Sequence, residues 1–282
     1  MNEIRFTKMH GAGNDYVYID SLSSTPHDVQ TLARQMSDRH FGIGSDGIVL
    51  IMKSEIADFR MRMFNSDGSE AQMCGNASRC IGKYVYDNGL TTKTTISLET
   101  KGGIKILELH PGKDGKIESV TVDMGEPILE ASKVPARYNG EIMKDATIVS
   151  ERGDKVSVTA VSMGNPHGVI FVDDLSKVDV HGLGRVLETD RIWPEKANIE
   201  FAQVLGPGDI RMRVWERGTG ETLACGTGAC ATAVAASLTG RTGRKVKLHL
   251  LGGVLDIDWR EDGHVYMTGP AETVFTGVYQ RN

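Results

Sequence analysis

No run in this sequence approaches the ~20 consecutive apolar residues of a membrane-spanning helix. The N-terminus, Met1-Asn-Glu-Ile-Arg-Phe6, lacks the charged-then-apolar pattern of a secretory signal. There is no long basic run, and acids and bases are interspersed at a net charge of -5, so the footprint of a nucleic-acid binder is missing. Cysteine is sparse. Its four positions fall as Cys74-x5-Cys80 and Cys225-x4-Cys230, neither of them a zinc-knuckle spacing, and no metal is expected. No pyridoxal motif or dinucleotide fingerprint occurs, so the expected chemistry uses no cofactor. The glycine-rich run Gly42-Ile-Gly-Ser-Asp-Gly47 reads as a turn and not as a phosphate cradle. What remains is a cytoplasmic globular chain with reduced thiols and no membrane or nucleic-acid partner. At 282 residues, 40% hydrophobic and 24% charged, it has room for two domains.

What is present is an internal repeat at an offset of 151 residues. Arg60-Met-Arg-Met-Phe-Asn-Ser-Asp-Gly-Ser-Glu70 leads to Cys74-Gly-Asn, and Arg211-Met-Arg-Val-Trp-Glu-Arg-Gly-Thr-Gly-Glu221 leads to Cys225-Gly-Thr. Gly13-Asn14 maps onto Gly164-Asn165, Glu70 onto Glu221, and Asn65 onto Glu216. Each Cys-Gly pair is followed by a helix-like run that ends at Asn88-Gly89 or at Thr239-Gly240, both helix-stop signals. Each half then closes in alternating apolar strands joined by Asp-Gly turns, at Asp114-Gly115 and Asp262-Gly263. A period this long is a duplicated domain, not a solenoid. The expected domains are 1–127, with 271–282 returning to them, and 128–270. Strands outnumber helices, which predicts an α+β (mixed α/β) architecture with a sheet wrapped on a helix in each half.

Cys80 and Cys230 lie inside helix-like runs and read as small buried hydrophobes. Cys74 and Cys225 differ, because each precedes Gly at a helix start. Unpaired N–H groups and the helix dipole there favour a thiolate and lower its pKa. The same N–H groups can hold a carboxylate. Two related halves tend to be arranged about an approximate two-fold axis, which would aim the two cysteines at one substrate from opposite sides. One thiolate would take an α-proton and the opposite thiol would return one to the other face. The N–H dipoles would stabilise the carbanion, in a cleft that excludes water. Other polar residues have plainer readings. Asn14 and Asn165 end strands or hold turns, Glu216-Arg217 forms a surface ion pair, and His167 sits in a loop after Asn165-Pro166, although His is also the natural helper base near neutral pH.

These residues resemble the diaminopimelate epimerase family over nearly the whole chain. The likeness rests on Lys8-Met-His-Gly-Ala-Gly-Asn-Asp15, Phe64-Asn-Ser-Asp-Gly-Ser-Glu70, Met73-Cys-Gly-Asn-Ala-Ser-Arg-Cys80, Gly164-Asn-Pro-His167, Glu216-Arg-Gly-Thr-Gly-Glu221, Ala224-Cys-Gly-Thr-Gly228 and Met267-Thr-Gly-Pro-Ala271. The resemblance implies cofactor-independent interconversion of LL- and meso-diaminopimelate, on the route to lysine and peptidoglycan. It implies two similar domains, each a sheet curled round a central helix, and a homodimer. Cys74 and Cys225 would be the acid/base thiols, with His167 and Glu216 as auxiliary groups. Gly75, Asn76, Gly226 and Thr227 would clamp the reacting carboxylate. Asn14, Asn65, Asn165, Asn198, Glu216 and Arg217 would grip the substrate, and Arg217 suits a bidentate carboxylate contact.

Two positions depart from the pattern. Gly47 stands where some members of the family carry a substrate-site Gln, and Ala77 stands where Gly is familiar after Cys-Gly-Asn. The rival reading is another cofactor-free racemase of this fold, acting on proline, hydroxyproline or histidine. Proline racemase-like proteins typically have His after the first Cys-Gly, where this chain has Asn76.

Overall fold

The computed structural model describes residues 3–281. The chain divides into two compact units, Met1–Val122 with Thr268–Asn282, and Asp123–Met267. In the first unit the elements run β1 (Glu3–Gly11), β2 (Asn14–Asp20), α1 (Val29–Ser37), β3 (Gly47–Met52), β4 (Phe59–Asn65), β5 (Glu70–Ala71), α2 (Gly75–Asp87), β6 (Thr95–Thr100), β7 (Gly103–Pro111) and β8 (Ile117–Asp123). The second unit continues with β9 (Ala146–Val149), β10 (Lys155–Ser162), β11 (Pro166–Phe171), α3 (Val180–Glu188), β12 (Asn198–Gly206), β13 (Asp209–Glu216), β14 (Gly220–Thr222), α4 (Gly226–Leu238), β15 (Lys245–Leu250) and β16 (Gly253–Trp259). Then β17 (Val265–Pro270) leads to β18 (Glu272–Gln280), which belongs to the first unit. The fold is mixed α/β.

The two units repeat one topology. In the first, β1 pairs antiparallel with β2, β2 parallel with β3, β3 antiparallel with β4, and β4 parallel with β6. In the second, β10, β11, β12, β13 and β15 pair in the same sequence of directions. Parallel neighbours need a crossover connection, and α1 and α3 supply it between β2 and β3 and between β11 and β12. Each unit adds one strand beside its first: β18 on β1, and β9 on β10.

Helices α2 and α4 are the central ones. Nine of the residues of α2 are buried, and ten of those of α4. The α4 sequence, Gly-Thr-Gly-Ala-Cys-Ala-Thr-Ala-Val-Ala-Ala-Ser-Leu, is small and mostly apolar all round, and a helix apolar on every face must be enclosed. It packs against β10, β11, β12, β15 and β16. Helices α1 and α3 are amphipathic and lie on other faces of their sheets. Leu32, Ala33 and Met36 of α1 join a core with Val17, Ile48, Leu50 and Phe64. Leu187 of α3 joins Ile170, Trp193, Ile199 and Phe201.

β17 ends at Gly269-Pro270, with Ala271 alone between it and β18.

Candidate active site

In the first unit, Cys74 is the N-cap of α2, with extended backbone, and it is half-buried. Its Sγ donates to Asn14 Oδ1 at 3.4 Å, and Asn76 Nδ2 donates to the same oxygen at 3.2 Å. Asn14 Nδ2 in turn donates to Asp46 Oδ2 at 2.8 Å. Asn14 is thus fixed at both ends, with its acceptor oxygen toward the thiol. On the far side, Arg39 bridges Asp15 and Asp46 at 2.9 Å each, and Lys8 pairs with Asp15 at 2.5 Å. Burial and the neighbouring Asp15 carboxylate push the Asp46 carboxyl up, whereas against burial the Arg39 and Lys8 contacts hold Asp15 below the usual carboxylate range. Arg79, fully buried, donates from Nη2 to Asn76 Oδ1 at 2.9 Å and from Nε to Pro270 O at 3.1 Å. Asn65 lies at the end of β4, where its Nδ2 donates to Ser69 Oγ at 3.0 Å across a tight turn.

In the second unit, Cys225 is the N-cap of α4. Its Sγ accepts from Gly228 N at 3.3 Å and lies 3.5 Å from Thr227 Oγ1. Glu216 closes β13 and accepts a short hydrogen bond from Thr222 Oγ1. His167, in β11, is 0% exposed, with Nδ1 2.7 Å from Glu200 Oε1 and Nε2 3.0 Å from Asn165 Oδ1. Parallel pairing of β11 with β12 sets His167 opposite Asn198. Asn198 Oδ1 accepts from Arg217 N at 2.8 Å, and Arg217 Nη1 donates to Glu195 O at 2.9 Å. Burial raises the Cys225 thiol well above its ordinary value, and the Glu216 and Glu200 carboxylates push it further; Thr227 and the Gly228 N–H oppose them and lose. Burial likewise raises Glu216, with Glu200 adding to the shift and Thr222 and His167 opposing it.

The residues singled out in the sequence therefore fall into two clusters. Cys74, Gly75, Asn76 and Asn14 meet in the first unit, with Asn65 held in its own turn. Cys225, Gly226, Thr227 and Glu216 lie together in the second, where His167 also meets Asn165, and Asn198 accepts from Arg217 N. Several readings need correction. Asn14 opens β2 and Asn165 directly precedes β11, so neither ends the preceding strand. His167 is a buried strand residue and not a loop residue. Glu216 and Arg217 do not pair: Glu216 turns toward Thr222, while Arg217 reaches Glu195 O. The thiol of Cys225 is raised and not lowered, because desolvation outweighs the helix start. Cys80 is also fully buried, and burial pushes its thiol up to about 11. Glu200, Asp46 and Arg79 were missed. The available signal for Glu200 was a charged residue between the apolar Ile199 and Phe201.

The geometry is that of two equivalent helix starts, each opening with a thiol. The sequence profile of the diaminopimelate epimerase family matches residues 6–130 and 159–274. The chain belongs to the diaminopimelate epimerase family. A diaminopimelate epimerase of Phocaeicola vulgatus is 56% identical over 275 residues, covering 97% of each chain. One from Acetivibrio thermocellus is 53% identical over 280 residues, covering 99% of each. A hydroxyproline epimerase of Agrobacterium vitis shares the fold, with a TM-score of 0.71 at 16% identity over 99% of this chain and 91% of that one. At that identity the likeness carries the fold and nothing of the substrate. Within the diaminopimelate epimerase family, Gly47 acquires a structural reason. It pairs with Asn65 across β3 and β4, and a Cβ on it would stand 2.1 Å from Phe64 O. The strand as folded here admits no side chain at that position.

Proposed function

We propose that this protein epimerises LL-2,6-diaminopimelate to meso-diaminopimelate without a cofactor, by a two-base exchange between thiolate and thiol. The observation that carries the reading is the pair of cysteines capping two equivalent buried helices, α2 and α4. In each turnover one sulfur, as thiolate, removes the α-proton and becomes a thiol. The other, as thiol, protonates the opposite face and becomes a thiolate. One C–H bond breaks, one forms, and no electron leaves the system. Cys225, kept protonated by burial beside Glu216 and Glu200, is the donor of the first turnover, and Cys74 is the base. The first-turn N–H groups at Gly75, Asn76, Gly226 and Thr227 bind the α-carboxylate as charge moves onto its oxygens. His167 and Glu216 assist Cys225, and Asn14, Asn65, Asn165, Asn198 and Arg217 recognise the rest of the substrate. The product serves lysine and peptidoglycan synthesis. Four cysteines, with no disulfide among the described residues, suit a reducing cytoplasm. A homodimer is the proposed assembly, and the exposed Val274, Phe275 and Val278 on β18 offer apolar surface to a second copy; sedimentation equilibrium tests it.

The deciding experiment is α-proton exchange in deuterated water with no added cofactor. Diaminopimelate should gain deuterium at one centre while proline gains none. Exchange with proline or hydroxyproline alone would move the chain to the rival racemase reading.

A further inference from the structure

Glu200 neither takes nor gives a proton in the two-thiol scheme, yet it is fully enclosed beside it. It lies in β12 between buried Ile199 and Phe201 and is 0% exposed. Its Oε1 is 2.7 Å from His167 Nδ1, and its Oε2 has no hydrogen-bond partner among the described residues. A buried carboxylate with one unsatisfied oxygen works against stability, and an apolar residue would be easier to enclose at this point of the strand. The opposing helix is shaped to accept it. A Cβ on Gly228, in the first turn of α4, would stand 2.6 Å from Glu200 Oε1, so only glycine leaves room for the carboxylate there. Among the described residues, the one side chain that Glu200 holds by a hydrogen bond is His167.

We propose that Glu200 is the positioning residue of the second cluster: it fixes a proton on His167 Nδ1 and leaves Nε2 as the nitrogen that exchanges protons. This rests on the reading of His167 as an auxiliary acid/base group. A carboxylate only accepts, so the ring nitrogen facing it carries the hydrogen. The partner of one ring nitrogen decides what the other can do. Here Nε2 faces the Asn165 amide at 3.0 Å. That amide can present either end, since oxygen and nitrogen exchange by a flip of the side chain. With nitrogen forward it donates to a bare Nε2; with oxygen forward it accepts from a protonated one. Nε2 can therefore gain or lose a proton without losing its partner, whereas Nδ1 keeps its proton throughout. The charge on Glu200 also offsets the charge His167 acquires when Nε2 is protonated.

The test is nitrogen NMR of the intact protein with labelled histidine, the His167 signals being assigned with His167→Gln. The unmodified protein should show Nδ1 protonated. A neutral ring with the proton on Nε2 and Nδ1 bare would overturn the proposal, whatever the enzyme's activity. Glu200→Gln should mix the two tautomers and lower kcat with diaminopimelate on the order of 10²-fold, the scale of losing an orienting partner. Its KM should change by less than about two-fold, and Glu200→Asp should recover part of kcat together with the Nδ1 proton. Native kcat in a folded Glu200→Gln, or a rise in KM alone, would also overturn it. Should Glu200→Gln fail to fold, the tautomer in the unmodified protein decides. Should the protein show no epimerase activity at all, the functional reading fails while the tautomer measurement still stands or falls by itself.

Discussion

Cys225 carries opposing influences on one sulfur. The Gly228 N–H and the start of α4 favour a thiolate, while burial and two carboxylates favour the thiol, and the second group prevails. The helix start was legible from Cys225-Gly226 alone. The burial and Glu200 were not, because they come from a strand more than twenty residues away in sequence, brought close by pairing that no local pattern records. Glu216 shows the same cost directly. Its folded pKa is raised, mainly by burial, so its contribution to stability is intact below the ordinary glutamate value of 4.5 and is lost as pH rises through the folded value. Glu216→Gln keeps an acceptor for Thr222 and removes that loss. Urea melts should find the variant more stable than the parent at pH 7 and equal to it near pH 4. Its epimerase rate should fall by about 10²–10⁴-fold, the usual contribution of a positioned acid/base group. Equal stability at both pH values would remove burial as the cause of the shift. Exposure also ranks the thiols. Cys74 is half-buried and the other three are buried, so iodoacetamide should label Cys74 first in the native protein. Activity should disappear as that single label is gained; a first label on Cys80 or Cys230, read by peptide mass spectrometry, would contradict the ranking.

The central helices are the elements that the sequence announced most clearly. Gly75–Asp87 and Gly226–Leu238 stand at the same offset of 151 as the cysteines that cap them. Helices Val29–Ser37 and Val180–Glu188 keep that offset too and went unread. They are short at nine residues each, and no Cys-Gly pair marks them; their signals are Asp28 and Asp179, whose side chains cap the first turns. Also hidden was the parallel pairing of β2 with β3 and β11 with β12, since parallel partners are separated by a crossover and leave no turn signature. A salt bridge repeats with the topology: Arg62 pairs with Glu70 at 2.7 Å and Arg213 with Glu221 at 2.6 Å, each staple bracing the turn before a Cys-Gly pair. The strand pair β3–β4 is closely packed at Gly47. Gly47→Ala would drive a methyl group to 2.1 Å from Phe64 O, a backbone atom that can move only with its strand. The expected penalty is about 1–3 kcal/mol, as for other overpacked sites. Because Asn65 is the residue paired with Gly47, KM for diaminopimelate should rise along with the loss of stability. A folded Gly47→Ala with native Tm and KM would show that the strands separate more freely than this contact allows.

At the scale of the whole molecule, the first unit is closed by the last strand of the chain. Glu3 pairs with Gln280, and the ladder runs from there to His10 and Glu272, so the two ends of 282 residues meet in one sheet. Such a contact has the longest sequence separation the chain offers, and its loop-closure entropy must be met by what the strands bury. Phe6 provides much of that burial. It is 8% exposed, packs with Ile4, Val17 and Ile19, and meets Phe275 edge-on at 5.8 Å between ring centres. Its cross-strand partner is Gly277, and the Phe6 ring lies where a side chain on that residue would be, with a Cβ only 2.7 Å from Phe6 Cζ. Glycine in a strand interior is otherwise unfavourable, and an aromatic ring over it recovers the lost packing. Gly277→Val should therefore expel the ring although valine is the better strand former. The loss should be about 1–3 kcal/mol, a fall of roughly 2–4 °C in Tm for each kcal/mol in a chain of this size. Because β1 also packs against α2, the disturbance should reach the helix that Cys74 caps. Hydrogen exchange should find β1 and β18 losing protection together, with α2 weakened beside them and β10 to β13 unchanged. Protection lost in β18 alone would mean that the strand frays independently and that the first unit holds its fold without it.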